Sequence, residues 1–363
     1  MHMALALSAA TKSVTLSAPN PRVGCVLLSN DGRILGQGHT QKAGGPHAEV
    51  MALSDAAANG NAVAGSTAYV TLEPCSHHGR TPPCCEALIA AGIRKAVISI
   101  QDPNPLVSGQ GIARLRAAGI EVNVGPGAAE SRELNIGFFS RMIRKTPWVR
   151  MKLAASLDGQ TALLNGQSQW ITGEAARADG HAWRARSSAV LTGIGTVLAD
   201  NPRLDVRLAG TPRQPHLVVV DSRLETPLGA HLFIAGRALF IYAAEQNDAK
   251  KTALEALGAT VIYLPGPNNK VDLAAMLRDL AQREINELHV EAGYKLNGSL
   301  IREGLVDELL LYMAPKLLGS AQGMASFGPL QSLNEAVDLE FLSAEMVGPD
   351  LRVRARLAGR DRF

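Results

Sequence analysis

The sequence predicts two successive α/β domains, and three observations predict them. At 363 residues the chain is too long for one ordinary core, since domains usually run to roughly 100–200 residues. Apolar runs of strand length alternate with helix-like stretches from end to end, the alternation of layered α/β architectures. Thirty-five glycines supply tight turns between them. Hydrophobic residues make up 46% of the chain but aromatic ones only 4%, so Ala, Val, Leu and Ile must fill the cores. The boundary falls at Thr146-Pro147, where a helical stretch ends at a proline and a second alternating pattern starts afresh. The domains are therefore 1–145 and 146–363.

Met3-Ala-Leu-Ala-Leu-Ser-Ala-Ala10 opens the first domain as an amphipathic helix ending near Lys12–Ser17. It is similar to a short signal-peptide core but lacks a Lys/Arg-bearing leading region. No stretch is long enough to span a membrane, so a cytoplasmic protein is expected. Asn20-Pro-Arg-Val-Gly24 is a turn, Val23–Leu28 a strand, and Asn30-Asp-Gly32 has the chemistry of a hairpin turn returning through Ile34–Gly38. A helix runs from near His47 to about Ala58, a strand over Thr67–Leu72, a loop from Glu73 to Pro83, and a helix over Cys84–Ala91 stopped by Gly92. Lys95–Ile100 is a strand, Gly109–Ala118 a helix, and Ala128–Arg144 one helical stretch.

In the second domain, strands are expected at Trp148–Ala154, Ala189–Thr192, His216–Val220, Ala238–Tyr242, Thr260–Tyr263, Glu287–Glu291 and Glu308–Pro315. Helices are expected at Gly173–Arg186, Lys250–Leu257, Leu273–Arg283 and Lys295–Glu303. No tandem repeat or low-complexity tract interrupts the pattern.

Charge and cysteine usage exclude several classes. The net charge is +3 with both signs interspersed, and no basic stripe marks a nucleic-acid surface. The small excess of base suits anionic small substrates. Four cysteines are too few for a disulfide framework in so long a chain. Cys25 lies in an apolar run and reads as a small buried hydrophobe, whereas Cys75, Cys84 and Cys85 cluster around one loop.

That loop carries the most specific chemistry. His47-Ala-Glu49, then Pro74-Cys75, then Cys84 follow the order of the zinc deaminase signature, H-x-E, P-C and a second Cys. One imidazole and two thiolates hold zinc tetrahedrally and leave a fourth position for water, whose pKa zinc lowers to about 7. Glu49, two residues from His47 at a helix start, is placed to move a proton without ligating the metal. The signature has two residues between its cysteines, but here eight separate Cys75 from Cys84. Ser76-His-His-Gly-Arg-Thr-Pro-Pro83 between them offers His77 and His78 as rival ligands. Cys84 and Cys85 also compete, and adjacent helical residues point about 100° apart, so one of them reaches the metal.

The second domain has no complete dinucleotide fingerprint. Leu191-Thr-Gly-Ile-Gly-Thr-Val-Leu198 has two glycines after a strand, but Leu198 stands where a third belongs. Glu291-Ala-Gly-Tyr-Lys-Leu-Asn-Gly298 also joins a strand to a helix, and backbone N–H groups at such helix starts suit a pyrophosphate. Asp221-Ser-Arg223 ends a strand and reads either as a surface turn or as a hydroxyl and a guanidinium suited to the 2′-phosphate of NADP.

His47-Ala-Glu-Val50 with Thr71-Leu-Glu-Pro-Cys-Ser-His-His-Gly-Arg-Thr-Pro-Pro-Cys84 resembles the bifunctional riboflavin biosynthesis deaminase/reductase family, whose members also show the eight-residue spacing. Lys152-Leu-Ala-Ala-Ser-Leu-Asp-Gly159, Ser168-Gln-Trp-Ile-Thr172, Thr196-Val-Leu-Ala-Asp-Asn-Pro202 and Ala314-Pro-Lys-Leu-Leu-Gly319 extend the resemblance to about Leu357. It implies a cytidine-deaminase-like layered α/β domain followed by an α/β domain like dihydrofolate reductase. It also implies Zn²⁺ on His47, Cys75 and Cys84, with Glu49 as proton shuttle. Asn20, His77, Arg80, Asp102 and Asn104 would line the deaminase pocket, Arg80 suiting the phosphate of a pyrimidine ribotide. In the reductase half, Ala154, Trp170, Thr196, Asp200, Ser222 and Gly293 would contact NADPH. Ser168, Arg184, Leu204, Arg207 and Glu291 would contact substrate, Arg184 and Arg207 suiting its phosphate. Lys152 and Glu291 would assist reduction of the ribose. Composition alone places Trp170 in a core. A homo-oligomer, dimer or higher, is expected, with no nucleic-acid or membrane partner. A nucleic-acid base deaminase would want stacking aromatics and a basic channel, which are missing. Glu49 and the second set of motifs argue against a binding module that merely carries structural zinc.

Overall fold

A computed structural model describes residues 2–76 and 83–363 of the chain. Two compact units divide it, Met1–Lys145 and Thr146–Phe363.

The first unit contains α1 (His2–Thr11), β1 (Gly24–Leu28), β2 (Ile34–His39), α2 (Ala48–Ala58), β3 (Thr67–Val70), α3 (Cys84–Ala90), β4 (Lys95–Ile98), α4 (Gln110–Ala117), β5 (Glu121–Val124), α5 (Ala128–Leu134) and α6 (Ile136–Arg144). Its sheet has the order β2-β1-β3-β4-β5, with β3, β4 and β5 parallel and β1 antiparallel to both its neighbours. The Asn30-Asp-Gly32 hairpin forms, with Gly32 at φ 86°. Small residues set the layer spacing. A Cβ on Gly24 would lie 1.9 Å from Ala6 O on α1, and Cβ atoms on Gly36 and Gly38 would lie 2.3 and 2.4 Å from Ala52 O and Ala48 O on α2. Helices pressed this close to a sheet explain how a core so poor in aromatics is filled.

The second unit contains β6 (Trp148–Ser156), β7 (Gln160–Ala162), α7 (Glu174–Arg186), β8 (Ala189–Gly193), α8 (Ile194–Asp200), β9 (His216–Val220), β10 (Leu239–Ala243), α9 (Asp248–Ala256), β11 (Ala259–Tyr263), α10 (Leu273–Gln282), β12 (Glu287–Val290), α11 (Tyr294–Arg302), β13 (Glu308–Ala314), β14 (Gln322–Gly323), β15 (Leu339–Val347) and β16 (Asp350–Leu357). Nine strands form one sheet in the order β11-β10-β9-β8-β12-β6-β13-β16-β15. The first seven are parallel, and β16 and β15 close one edge antiparallel. Short β7 and β14 pair apart from it. Val149, Met151, Leu191, Val218, Leu277 and Leu288 belong to one apolar cluster, and Val190, Leu217, Val219, Ile241 and Val261 to a second.

Part of the sheet, beneath α7, is charged instead. Arg150, wholly buried, binds Glu287 at 2.9 Å and Glu308 at 3.1 Å. Arg186 also binds Glu287, Arg354 also binds Glu308, and Trp183 of α7 lies against the guanidinium groups of Arg150, Arg186 and Arg354. Burial pushes the Glu308 carboxyl up, but Arg150 and Arg354 more than reverse this and hold it at about 2.

Most expected elements end within two residues of their observed bounds. The stretch Ala128–Arg144 is two helices that meet at Asn135, whose side-chain amide accepts from Arg22 N–H and donates to Arg22 O. Ile194–Asp200, read as a glycine turn, is helical. β5, β15 and β16 were not expected. β5 and β15 are largely exposed, and β16 interleaves arginine with its apolar residues, so none presents an apolar run.

Candidate active sites

In the first unit, the C-terminal end of β3 and the starts of two helices converge. His47 is the N-cap of α2, Glu49 lies in its first turn, Cys75 follows β3, and Cys84 opens α3. His47 Nδ1 lies 3.6 Å from Cys75 Sγ and 3.3 Å from Cys84 Sγ, and one ligand atom from each of the three lies within 4.8 Å of the others. A tetrahedral ion with Zn–S of about 2.3 Å and Zn–N of about 2.1 Å sets the N–S edge at roughly 3.6 Å, so the donor set fits zinc. Cys85 is outside the triangle: its N–H donates to Cys75 O and its thiol is buried elsewhere. Among the described residues the cysteine that joins His47 and Cys75 in a group able to hold an ion is Cys84, not Cys85. His77, His78 and Arg80 lie outside the described residues.

Glu49 is buried in the first turn of α2, two residues from His47. Burial, with the Cys75 sulfur adding, raises its carboxyl to about 7. The pairing of the two thiols pushes Cys75 down and Cys84 up, so Cys75 is the more acidic of the two and the first to offer a thiolate. Asp102 and Asn104 follow β4 on the same end of the sheet, with Asn104 N–H donating to Asp102 Oδ1 at 2.7 Å. Burial, with Glu73 and Cys75 adding, raises Asp102 to about 7. Asn20 sits half-buried in the turn before β1, its N–H bonded to Ser17 O.

Sequence reasoning assigned no role to Glu73. Its buried carboxylate accepts from the N–H groups of Asp102, Gly109 and Ile112 at 2.9–3.2 Å, tying the Pro74-Cys75 turn to the start of α4. It stood inside the motif, but nothing local marks a carboxylate as a backbone anchor.

In the second unit, the candidates gather near the C-terminal ends of parallel strands, where open α/β sheets bind ligands. Gly193 ends β8, Thr196 lies in the first turn of α8, and Gly293 precedes α11. A Cβ on Gly293 would lie 3.7 Å from Thr196 Oγ1, so the two glycine turns are neighbours. Neither helix start has a side-chain cap, which leaves first-turn N–H groups for a phosphate. Ser222 follows β9, with its hydroxyl 3.4 Å from Val271 N–H. Arg223 is exposed and paired with Glu225 at 3.1 Å, and Asp200 is exposed at the end of α8. Trp170 does not pack in a core: it is 64% exposed, and the Arg177 guanidinium lies 4.6 Å from its ring.

Lys152 and Ala154 lie half-buried on β6. Burial lowers the Lys152 ammonium, against the opposing pull of Glu291, and its Nζ lies 5.9 Å from the centre of the Tyr312 ring. Glu291, just beyond β12, forms a two-point pair with Arg184 of α7, Nη2–Oε2 being 2.8 Å. Burial opposes its charge, but Arg184 prevails and holds the carboxyl well below the usual range. Arg184 also donates to Asp205 O, so its fork is fully engaged, whereas the exposed Arg207 is only 3.3 Å from a ring nitrogen of His181. Leu204 is buried at φ 49°, an uncommon conformation for a branched side chain, and Arg237 bonds its carbonyl. Ser168 is half-buried in the segment after β7.

The comparisons bear on both units. Residues 1–100 match the cytidine and deoxycytidylate deaminase zinc-binding region, and residues 147–353 match the RibD C-terminal domain. The riboflavin biosynthesis protein RibD of Escherichia coli (strain K12) is 44% identical, covering 96% of this chain and 97% of that one. The chain belongs to the RibD family. It is a bifunctional enzyme of riboflavin biosynthesis with a deaminase and a reductase domain. Zinc and NADPH are the cofactors of the family's two activities. Among solved structures, Acinetobacter baumannii RibD, form 1, has a TM-score of 0.90 at 39% identity, covering 98% of both chains. A Thermotoga maritima diaminohydroxyphosphoribosylaminopyrimidine deaminase/5-amino-6-(5-phosphoribosylamino)uracil reductase has a TM-score of 0.85 at 32% identity, covering 98% of this chain and 97% of that one. Among the described residues no helix is long and apolar enough to cross a membrane.

Proposed function

We propose that the first unit removes the 2-amino group of 2,5-diamino-6-(ribosylamino)-4(3H)-pyrimidinone 5′-phosphate. The second then reduces the ribosyl group to ribityl, giving 5-amino-6-(5-phosphoribitylamino)uracil. The observation that carries the reading is the His47–Cys75–Cys84 triangle with Glu49 buried beside it. When bound, zinc supplies the Lewis acidity that makes water nucleophilic near neutral pH, and NADPH supplies the hydride. Glu49 passes one proton of the attacking water to the ring nitrogen as the C–O bond forms, then passes the second, from the new hydroxyl, to the amino group as the C–N bond breaks and ammonia leaves. Asn20, Asp102 and Asn104 hold the pyrimidine; His77 and Arg80, outside the described residues, are assigned to the same substrate by the family resemblance.

In the reductase, Thr196 and Gly293 border the cofactor's pyrophosphate, joined by Ala154, Trp170 and Asp200, and Ser222 and Arg223 read its 2′-phosphate. Ser168, Arg184, Leu204, Arg207 and Glu291 hold the ribotide, with Arg184 and Arg207 suited to its phosphate. Lys152 and Glu291, the lysine lowered by burial, assist proton transfer to the opening ribose. The enzyme acts in the cytoplasm without nucleic acid. It works as a homo-oligomer, a reading supported by β15, an edge strand with Phe341 78% and Met346 65% exposed.

The test is sequential. Purified protein receives the ribotide alone, ammonia is measured, and NADPH or NADH is added afterwards. Ammonia release without cofactor, then oxidation of NADPH in preference to NADH, is expected. Cofactor oxidation without prior ammonia release would overturn the order of steps, and equal use of NADH would overturn the role given to Ser222 and Arg223.

A further inference from the structure

His289 is a buried titratable group that the reading above leaves without a task. It lies on β12 between Glu287 and Glu291, and strand periodicity puts all three on the face that carries Arg150 of β6, its register partner. Its side chain is wholly buried, and neither ring nitrogen has a hydrogen-bond partner among the described residues. A polar ring in such a place destabilises the fold relative to one that is satisfied. Nε2 nevertheless lies only 3.4 Å from Glu291 Oε1, an approach too loose to satisfy the ring. The charged groups facing it are Glu291, Arg184 and Arg150, and burial keeps the ring neutral, so one nitrogen carries a proton to donate.

Both oxygens of Glu291 are bound by Arg184. A substrate phosphate drawing Arg184 away would leave that buried carboxylate without its main donor, at a cost that discourages binding. We propose that His289 is a positioning residue for the reductase: its Nε2–H takes over Glu291 Oε1 when Arg184 turns to the substrate, holding the carboxylate in its working orientation. The proposal rests on the reading that Glu291 and Arg184 meet the ribotide.

The test compares His289→Leu, which removes the donor, His289→Gln, whose amide nitrogen reaches the place of Nε2, and Glu291→Gln. In holoenzyme, His289→Leu should unfold at the same or a higher temperature than wild type, since an unsatisfied polar ring is replaced by an apolar group. It should keep its deamination rate and KM for NADPH, but lose about 10- to 100-fold in kcat for reduction of the deaminated ribotide. His289→Gln should recover most of that loss, and His289→Leu should add little in a Glu291→Gln background. A lower unfolding temperature with unchanged reductase kcat would make His289 merely structural and overturn the proposal. Impaired Glu291→Gln beside unimpaired His289→Leu would overturn the proposal alone. Unimpaired Glu291→Gln would overturn the reading of Glu291 and the proposal with it.

Discussion

Cys84 and Cys85 show how one residue step decides chemistry. They are adjacent on α3, yet only Cys84 closes the triangle with His47 and Cys75. Cys84→Ser should therefore lose zinc in elemental analysis of protein purified without chelator, while Cys85→Ser keeps about one zinc per chain. Retention by the first and loss by the second would reverse the assignment. Asp102 invites a pH experiment. Its carboxyl titrates near 7 in the folded protein, against a reference value of 3.8. Below about pH 4 it is protonated in both states. Between about 4 and 7 only the unfolded chain releases the proton, so this group's contribution to stability falls as pH rises and is fully lost above about 7. At about 1.36 kcal/mol per pH unit the loss amounts to at most ~4 kcal/mol. Asp102→Asn preserves an acceptor for Asn104 N–H and abolishes the titration. Its urea midpoint should gain on wild type between pH 4.5 and 7.5, and parallel midpoints would show that Asp102 is ionised throughout.

Elements of the first unit are placed by what their glycines omit. β1 lies against α1 because Gly24 has no Cβ where Ala6 O and Ala10 N approach. The obstacle is backbone, which cannot rotate aside as a side chain would. Gly24→Ala should cost about 1–3 kcal/mol or more through displacement of α1, read as a lower urea midpoint for the first unit. An unchanged midpoint would mean that α1 is not seated on the sheet. In the second unit, Asp158 does comparable work by hydrogen bonding. Its carboxylate accepts from the N–H groups of Leu318 and Gly319 and so joins the turn after β6 to the segment after β13. Two motifs far apart in sequence, Lys152–Gly159 and Ala314–Gly319, are thus one structural feature.

Over the whole molecule, each unit holds a separate candidate set. His47, Glu49, Cys75, Cys84 and Asp102 belong to Met1–Lys145, and Lys152, Arg184, Thr196, Glu291 and Gly293 to Thr146–Phe363. The chemistry should divide accordingly. Glu49→Gln should keep its zinc and lose deamination by about 10²–10⁴-fold, the range for a general acid–base group, while still reducing ribotide that is already deaminated. Lys152→Ala should release ammonia normally and oxidise NADPH slowly. Both half-reactions measured on both variants, with folding checked by circular dichroism, decide it. Loss of reduction in Glu49→Gln would mean coupled or shared sites.

Much of this was legible in sequence because it is local or periodic. The α/β alternation follows from runs of apolar residues, and the grouping of His47, Cys75 and Cys84 from three candidate ligands within 38 positions, His47 to Cys84, flanked by recognisable turns. Hairpin, glycine turns and strand ends likewise depend on neighbouring residues. Tertiary structure decided what depends on distant ones. It divided Ala128–Arg144 at Asn135, whose side-chain amide holds the backbone of Arg22, 113 positions away. It put Trp170 at the surface and engaged Arg184 with Glu291, 107 positions away. It also buried Arg150 between Glu287 and Glu308, 137 and 158 positions distant, where a reading by residue type expects exposed charge. A charged side chain can be buried only when opposite charges arrive from elsewhere in the chain, and their arrival is a property of the folded sheet, not of any window of sequence.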